Sequence, residues 1–301
     1  LGQLKIIDMT LLIMAAGNGS RYGGLKQFDS LGPDGSFLME YSIYDAIQAG
    51  FSQVVVITKK ENVDTLTDYL APKLNGKIRL DVVAQELSDL PDGIEFPKER
   101  VKPWGTAHAV WAARHVIDDP FVIINADDFY GNLAYQEAAN FINSSEELNE
   151  FALVAYELGN TLSDFGTVSR GVCESDDEYL TEITETLKLQ ADQDRVIDQA
   201  TEQYFDLDTP VSMNFWINTP VVFDEIEKEI KSFFEEGNAL TSEVFIPKVM
   251  SNMMHKEKVK IRLIKSKSNW FGVTYAEDKQ IAIDTLAEFH EQGAYPDQLW
   301  A

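Results

Sequence analysis

Through its first 156 residues the chain alternates short β-forming runs with helical stretches, and this alternation constrains the fold more than any other feature. TLLIMAAG at 10–17 is a short apolar strand reaching a glycine-rich turn, and FSQVVVIT at 51–58 is nearly continuous in β-formers. IRLDVVAQ at 78–85, PFVIINADD at 120–128 and the segment 151–156 read as further strands. Helices are expected at about 38–49, closed by Gly50, and at 62–70, 105–117 and 131–142. Strands that carry apolar residues without alternation are covered on both faces. Strands separated by single helices imply right-handed crossovers and a mainly parallel sheet.

The second half changes character. Short β-like runs such as FGTVSRGV, YLTEITETLKL and VSMNFWI fill 162–217, and twelve acids with only two bases, Lys188 and Arg195, crowd 174–208. Helices are expected again at 220–235, 241–251 and about 276–292, with an alternating apolar and basic strand, VKIRLIK, at 259–265. One α/β unit spanning 1–301, with a β-rich lobe at about 160–217, fits this pattern better than two linked domains. The net charge of −25 argues against nucleic acid and anionic membranes, which are bound through neutralised phosphates. A single cysteine, Cys173, excludes a disulfide framework and thiolate metal clusters. No apolar run of transmembrane length or signal-like segment is present, so a cytoplasmic protein is expected.

Chemistry concentrates first in AAGNGSRYGGLKQ at 15–27. Its glycines allow close backbone approach to a ligand, exposed N–H groups can form an anion nest, and Arg21 and Lys26 supply charge for phosphate oxygens. The spacing is neither GxGxxG nor GxxxxGK[ST]. The second concentration is the carboxylate pair Asp127–Asp128, at the C-terminal end of a strand, where open α/β sheets bind ligands. Helix capping is the plainer reading for Asp128.

The glycine loop resembles the signature of the sugar-phosphate nucleotidylyltransferases, whose first loop reads roughly LAAGxGxR followed by a Lys. That resemblance implies a Rossmann-like three-layer α/β/α nucleotidyltransferase fold with a mixed, mostly parallel sheet and a β-rich insertion. It implies nucleotide contacts from Ala15, Ala16, Gly17 and Gly19, and triphosphate binding by Arg21 and Lys26. The short RYGGLK spacing, with Leu25 where the family usually has Pro, is similar to molybdenum-cofactor nucleotidyltransferases. Gln85 resembles the family Gln that reads a pyrimidine edge, and GTAHAV at 105–110 resembles the element beside the base, with Gly105 and Thr106 as contacts. The loop between them, 86–104, is longer than usual.

The resemblance further implies a metal ligand at Asp127 and sugar contacts from DFGTV at 164–168, through Gly166, and from Glu185. The family's sugar-phosphate Lys falls on Thr186, and Lys188, two positions on, is expected to replace it if the strand is regular. A second metal ligand is expected at Asn214, with Asn218 as the alternative. WFGV at 270–273 suggests no mechanism. The implied reaction joins a nucleoside triphosphate, with UTP or dTTP favoured, to a sugar 1-phosphate with Mg²⁺ as cofactor, releasing pyrophosphate. A homo-oligomer is compatible with the sequence. Two other readings stay open: transfer to a non-sugar phosphate such as an alditol, choline or isoprenoid-precursor phosphate, and a non-catalytic NDP-sugar-binding protein.

Overall fold

The computed structural model of the chain describes residues 7–17, 29–237 and 239–301. The first half follows the alternation closely: β1 (Thr10–Met14), α1 (Leu38–Gln48), β2 (Gln53–Lys59), α2 (Val63–Leu74), β3 (Arg79–Gln85), α3 (Thr106–Trp111), β4 (Phe121–Asn125), β5 (Asp128–Phe129), α4 (Asn132–Ser144) and β6 (Glu150–Glu157). The second half supplies β7 (Val168–Asp176), β8 (Tyr179–Asp192), β9 (Arg195–Asp198), β10 (Gln203–Asp206), β11 (Pro210–Asn218), α5 (Val222–Glu235), α6 (Ile246–His255), β12 (Lys260–Lys265), β13 (Phe271–Gly272) and α7 (Asp278–Glu291).

Among the described residues one large sheet runs in the order β10-β9-β8-β12-β6-β11-β4-β1-β2-β3, with β7 beside β8 and β11. It is mixed rather than mostly parallel. The pairs β1–β2, β1–β4, β2–β3 and β6–β12 are parallel, whereas β11 runs antiparallel to both β4 and β6, and β7 through β10 form antiparallel hairpins. Connection length accounts for the β7–β10 hairpins, whereas β11 meets β4 and β6 across long stretches of chain. A tight turn can join only antiparallel neighbours, while a parallel pair needs a crossover of a dozen residues or more.

Side chains alternate across the central strands. Leu11, Ile13, Val54, Val56, Val122 and Ile124 enter one buried cluster with residues of α1, α2 and α4. Leu12, Val55, Ile57, Phe121 and Ile123 enter another with residues of α3, α5 and α6. Burial on both faces explains the unbroken apolar runs of these strands.

α3 is shorter than the sequence suggests. After Trp111 the chain tightens into i→i−3 bonds, from Ala113 N to Val110 O, Arg114 N to Trp111 O and Val116 N to Ala113 O. The Arg114 guanidinium also takes the Trp111 carbonyl at 3.1 Å, occupying an acceptor near the end of the helix. In the basic strand β12 the central Arg262 is paired, contacting Glu150 at 3.3 Å and Glu178 at 3.0 Å. No helix among the described residues is long and apolar enough to cross a membrane.

Candidate active site

Register brings three strand ends to one edge. Met14 of β1 lies opposite both Ile57 of β2 and Asn125 of β4, and Lys59 of β2 lies opposite Gln85 of β3. The segments that follow β1, β3 and β4 therefore leave the sheet together. They enclose a cleft of about 400 Å³ lined by Ala15, Ala16, Gly17, Gln85, Gly105, Thr106, Asn125 and Asp127, with Phe37 and Leu38 from the start of α1. Gly19, Arg21 and Lys26 lie outside the described residues.

Gly105 is held by packing as well as by backbone geometry. Its φ of 105° lies in the region that favours glycine, and a Cβ there would come within 2.4 Å of the Val244 carbonyl oxygen. The segment around Val244 is fixed against the 105–107 turn by hydrogen bonds from Val244 N to Trp104 O (2.7 Å) and Ala107 N to Val244 O (3.0 Å). The Thr106 hydroxyl accepts from Ile246 N at 2.9 Å and ties the start of α6 to the cleft. The amide nitrogen of Gln85 donates to Gly105 O at 3.1 Å and contacts Nδ1 of the fully buried His108 at 2.9 Å.

A second, more polar cavity of about 330 Å³ adjoins the first. It contains Asp128, Arg170, Glu185, Asn214 and Trp270, and it shares Asn125, Asp127 and Val273 with the cleft. Asp127 opens into both spaces, yet the protein around the cavity raises its pKa by desolvation. Asp128 is not a simple helix cap. Its carboxyl contacts Asn125 Nδ2 at 3.0 Å and the Tyr130 hydroxyl at 3.2 Å. Burial first, and the charge of Asp127 second, push it up to about 7. Tyr130 accepts from Asn125 N at 3.1 Å and donates its one proton to Met213 O at 2.9 Å.

Asn214 reaches this cavity from a bulge. Between Ser212 and Trp216 the pairing of β11 with β6 slips, and Asn214 adopts a left-handed φ of 62°. Asn tolerates that conformation better than most residues, and bulges often re-aim a side chain beside a functional site. Asn218, the alternative, is not part of the cavity. It is buried opposite Phe121, at the other end of β4 from Asp127, with its amide nitrogen on Phe121 O at 3.2 Å.

Glu185 lines the second cavity, and desolvation raises its pKa against the lowering effect of Arg170. Lys188 does not reach this cavity in the structure. Its left-handed φ of 56° breaks the alternation that would have placed it with the buried Thr186, and it is exposed and absent from the cavity lining. Gly166 is also off the lining. A Cβ there would meet the Tyr275 hydroxyl at 2.5 Å, so the residue makes room for that ring.

Sequence reasoning missed Arg170. It lies directly opposite Thr186 across the β7–β8 ladder and is the one Lys or Arg among the described residues lining either cavity. Its guanidinium donates to Thr161 Oγ1 at 3.2 Å, Thr161 O at 2.5 Å and Ser169 O at 2.8 Å. It makes no ion pair within 4.0 Å with a described carboxylate, and the residues outside the description include no Asp or Glu. Buried charges are ordinarily paired. A basic residue at the same parity as Val168 and Val172 in FGTVSRGV was a signal, but its meaning required the strand register. WFGV also acquires a place in the site: Phe271 and Gly272 pair with Phe129 and Asp128, Trp270 and Gly272 line the second cavity, and Val273 lines both.

A family model described as "Nucleotidyl transferase" matches residues 10–278. Among solved structures, the chain resembles a protein from Bacillus anthracis assigned as a glucose-1-phosphate thymidylyltransferase, solved in complex with sucrose. That match has a TM-score of 0.61 and 15% identity, over 92% of this chain and 95% of the other. It also resembles the inositol-1-phosphate CTP transferase from T. maritima, with a TM-score of 0.59 and 12% identity, over 94% of this chain and 97% of the other. No curated protein sequence gives a significant match.

Proposed function

Because the chain belongs to the nucleotidyl transferase family, we propose that it transfers the nucleoside monophosphate of UTP or dTTP to a sugar 1-phosphate, releasing pyrophosphate. The observation that carries this reading is the junction of the two cavities at Asn125 and Asp127. One ligand in each space would meet its neighbour over a single open carboxylate. Each volume is on the scale of a small-molecule site.

In this reading Ala15, Ala16, Gly17 and Gly19 offer backbone to the triphosphate, and Arg21 and Lys26 hold its oxygens. Gln85, Gly105 and Thr106 face the base. Glu185 and Asn214 bind acceptor hydroxyls, and Arg170 takes the acceptor phosphate in place of the Lys that the family pattern puts at Thr186. An acceptor phosphate oxygen attacks the α-phosphorus, the new P–O bond forms, and the bond to the β-phosphate oxygen breaks with its electron pair leaving on pyrophosphate. The nucleophile is already anionic near neutral pH, so alignment and charge neutralisation matter more than a protein base.

A divalent cation fits the junction. Asp127 is an open carboxylate with a raised pKa, and Asn214 lines the same cavity. The described residues contain no group of three or more His, Cys, Asp or Glu able to hold a metal. Mg²⁺ characteristically takes one or two carboxylates and completes its shell with water and substrate phosphates. Bound there, it would supply charge neutralisation to both phosphates. We further propose that the whole chain acts as one nucleotidyltransferase domain.

The cavity beside Arg170 presents Ser169, Glu185, Ser212 and Asn214, a lining suited to a hydroxyl-rich acceptor rather than an isoprenoid one. A matrix of four triphosphates against phosphorylated sugars, polyols and other alcohols, with pyrophosphate release as readout, tests the proposal. Turnover with UTP or dTTP and a sugar 1-phosphate is expected. Turnover only with a purine triphosphate, or only with a non-sugar phosphate, would overturn the corresponding half. Tight NDP-sugar binding without pyrophosphate release would identify a non-catalytic binding protein.

A further inference from the structure

The long 86–104 loop reaches the base side of the cleft through one buried histidine. His108 places Nε2 at 2.6 Å from the Asp89 carbonyl oxygen and Nδ1 at 2.9 Å from the Gln85 amide nitrogen, and that nitrogen also lies 3.1 Å from Gly105 O. Two backbone carbonyls terminate this chain of contacts, and a carbonyl oxygen can only accept. The Gln85 atom facing Gly105 O must therefore be the amide nitrogen. That nitrogen donates its other hydrogen to His108, so Nδ1 is unprotonated. Nε2, facing Asp89 O, must carry the ring's single proton. Burial disfavours the charged imidazolium and lowers the pKa of His108, which keeps the ring neutral.

The anchor of the chain is itself fixed. The Asp89 carboxylate takes a bidentate contact from Arg114 at 2.9 and 2.7 Å, and that guanidinium lies 3.4 Å from the Trp111 ring centre. The loop is also held by Trp104, whose indole nitrogen donates to Leu87 O at 3.0 Å. With both amide hydrogens committed, Gln85 has only Oε1 left, which has no hydrogen-bond partner among the described residues. Gln85 lines the nucleotide cleft. It can meet a base there only as an acceptor.

We infer that His108 is a positioning residue for base recognition: through it the 86–104 loop locks the Gln85 amide so that the cleft demands an N–H from the base. For uracil or thymine that donor is N3–H. The inference rests on the reading of this cleft as a pyrimidine-nucleotide site. It assigns the extra loop length to specificity, and the selecting group to a side chain that touches no substrate.

The test compares UTP with N3-methyl-UTP, which lacks the donor, in wild type and in His108→Phe, which keeps a ring but removes both nitrogens. In wild type the methylated nucleotide should lose at least tenfold in kcat/KM. In His108→Phe the Gln85 amide keeps only its Gly105 anchor and is held less firmly, so that ratio should shrink severalfold, through KM for the nucleotide. The KM for the acceptor should stay within twofold. A folded His108→Phe protein that keeps the wild-type ratio would overturn the inference. If that variant does not fold, ¹⁵N NMR of the wild-type imidazole decides. A neutral ring protonated on Nε2 from pH 6.5 to 8 is expected, and a ring protonated on Nδ1 overturns the inference. A wild-type preference for purine triphosphates, or no thermal shift with any triphosphate, would instead sink the underlying site reading before any variant is made.

Discussion

Replacing Asp127 by Asn should abolish most turnover while making the metal-free protein more stable, and the gain should depend on pH. Asp127 stands beside Asp128, whose carboxyl is pushed up from an ordinary 3.8 to about 7. Two carboxylate charges on neighbouring residues, at an effective dielectric of about 20, repel by about 1–2 kcal/mol. A folded pKa above the unfolded one means that the folded state holds a proton the unfolded chain has released. Stability therefore falls as pH rises from about 4 to about 7 and stays lowered above that. Removing the Asp127 charge takes away part of this fall. An unfolding entropy of about 2.1 cal/mol/K per residue gives roughly 0.6 kcal/mol/K for 301 residues, so the gain at pH 8 is about 1.5–3 °C in Tm. At pH 5.5, with Asp128 protonated in both proteins, the difference should shrink toward zero. Scanning fluorimetry of both proteins in chelator at the two pH values measures this directly. Adding Mg²⁺ at pH 8 should raise the wild-type Tm and leave the variant unmoved. A lower Tm for Asp127→Asn at pH 8 would make Asp127 a turn-forming residue, and near-normal turnover would remove it from the chemistry altogether.

Arg170→Gln should raise the KM for the acceptor phosphate by about 10- to 100-fold while leaving the nucleotide KM within twofold, since a hydrogen bond to a charged group contributes about 1.5–3 kcal/mol. Steady-state kinetics with each substrate varied in turn would check it, and an unchanged acceptor KM would refute the assignment. Lys26→Ala should cut turnover with Mg²⁺ by more than tenfold without moving Tm by more than about 1 °C, because its role in this reading is to hold triphosphate oxygens rather than to support the fold. Gly105→Ala should lose about 2–4 kcal/mol of stability, read by urea denaturation, from a left-handed φ and a 2.4 Å clash with the Val244 carbonyl; a wild-type midpoint would show that the turn relaxes freely.

The alternation of strands and helices was legible because hydrophobic periodicity is local, while the gathering of Ala15–Gly17, Gln85 and Asp127 at one sheet edge was implied by the family resemblance. Strand direction was not. The residues of β11 do not encode whether its neighbours run with it or against it, because it meets β4 and β6 across long stretches of chain with no tight turn between them. Parity arguments failed for a related reason. Asn214 and Asn218 are four residues apart and share a face on a regular strand, as Thr186 and Lys188 would at two. A left-handed residue in each segment, Asn214 and Lys188, breaks the alternation. Arg170 needed the β7–β8 register before it could be matched with Thr186, and the 86–104 loop needed the position of Asp89 relative to His108.

The charge distribution explains why the junction is built as it is. A chain with a net charge of −25 that binds two phosphate-bearing ligands must concentrate its compensation, and the described lining offers one cation, Arg170, against Asp29, Asp127, Asp128, Glu185 and Glu243. Lys279 and Lys102 already pair with Asp29 and Glu243, at 3.1 and 2.6 Å. Asp128 is held by Asn125 and Tyr130, and Glu185 feels the Arg170 guanidinium, so neither is left without a partner. The open carboxylate left over is Asp127. A lone carboxylate raised by desolvation costs the apo fold stability, and nearby protein cations would relieve it at the expense of repelling a divalent ion. Leaving it unrelieved keeps that position for a cation arriving with the substrate phosphates, which is where neutralisation is needed as the two anions approach.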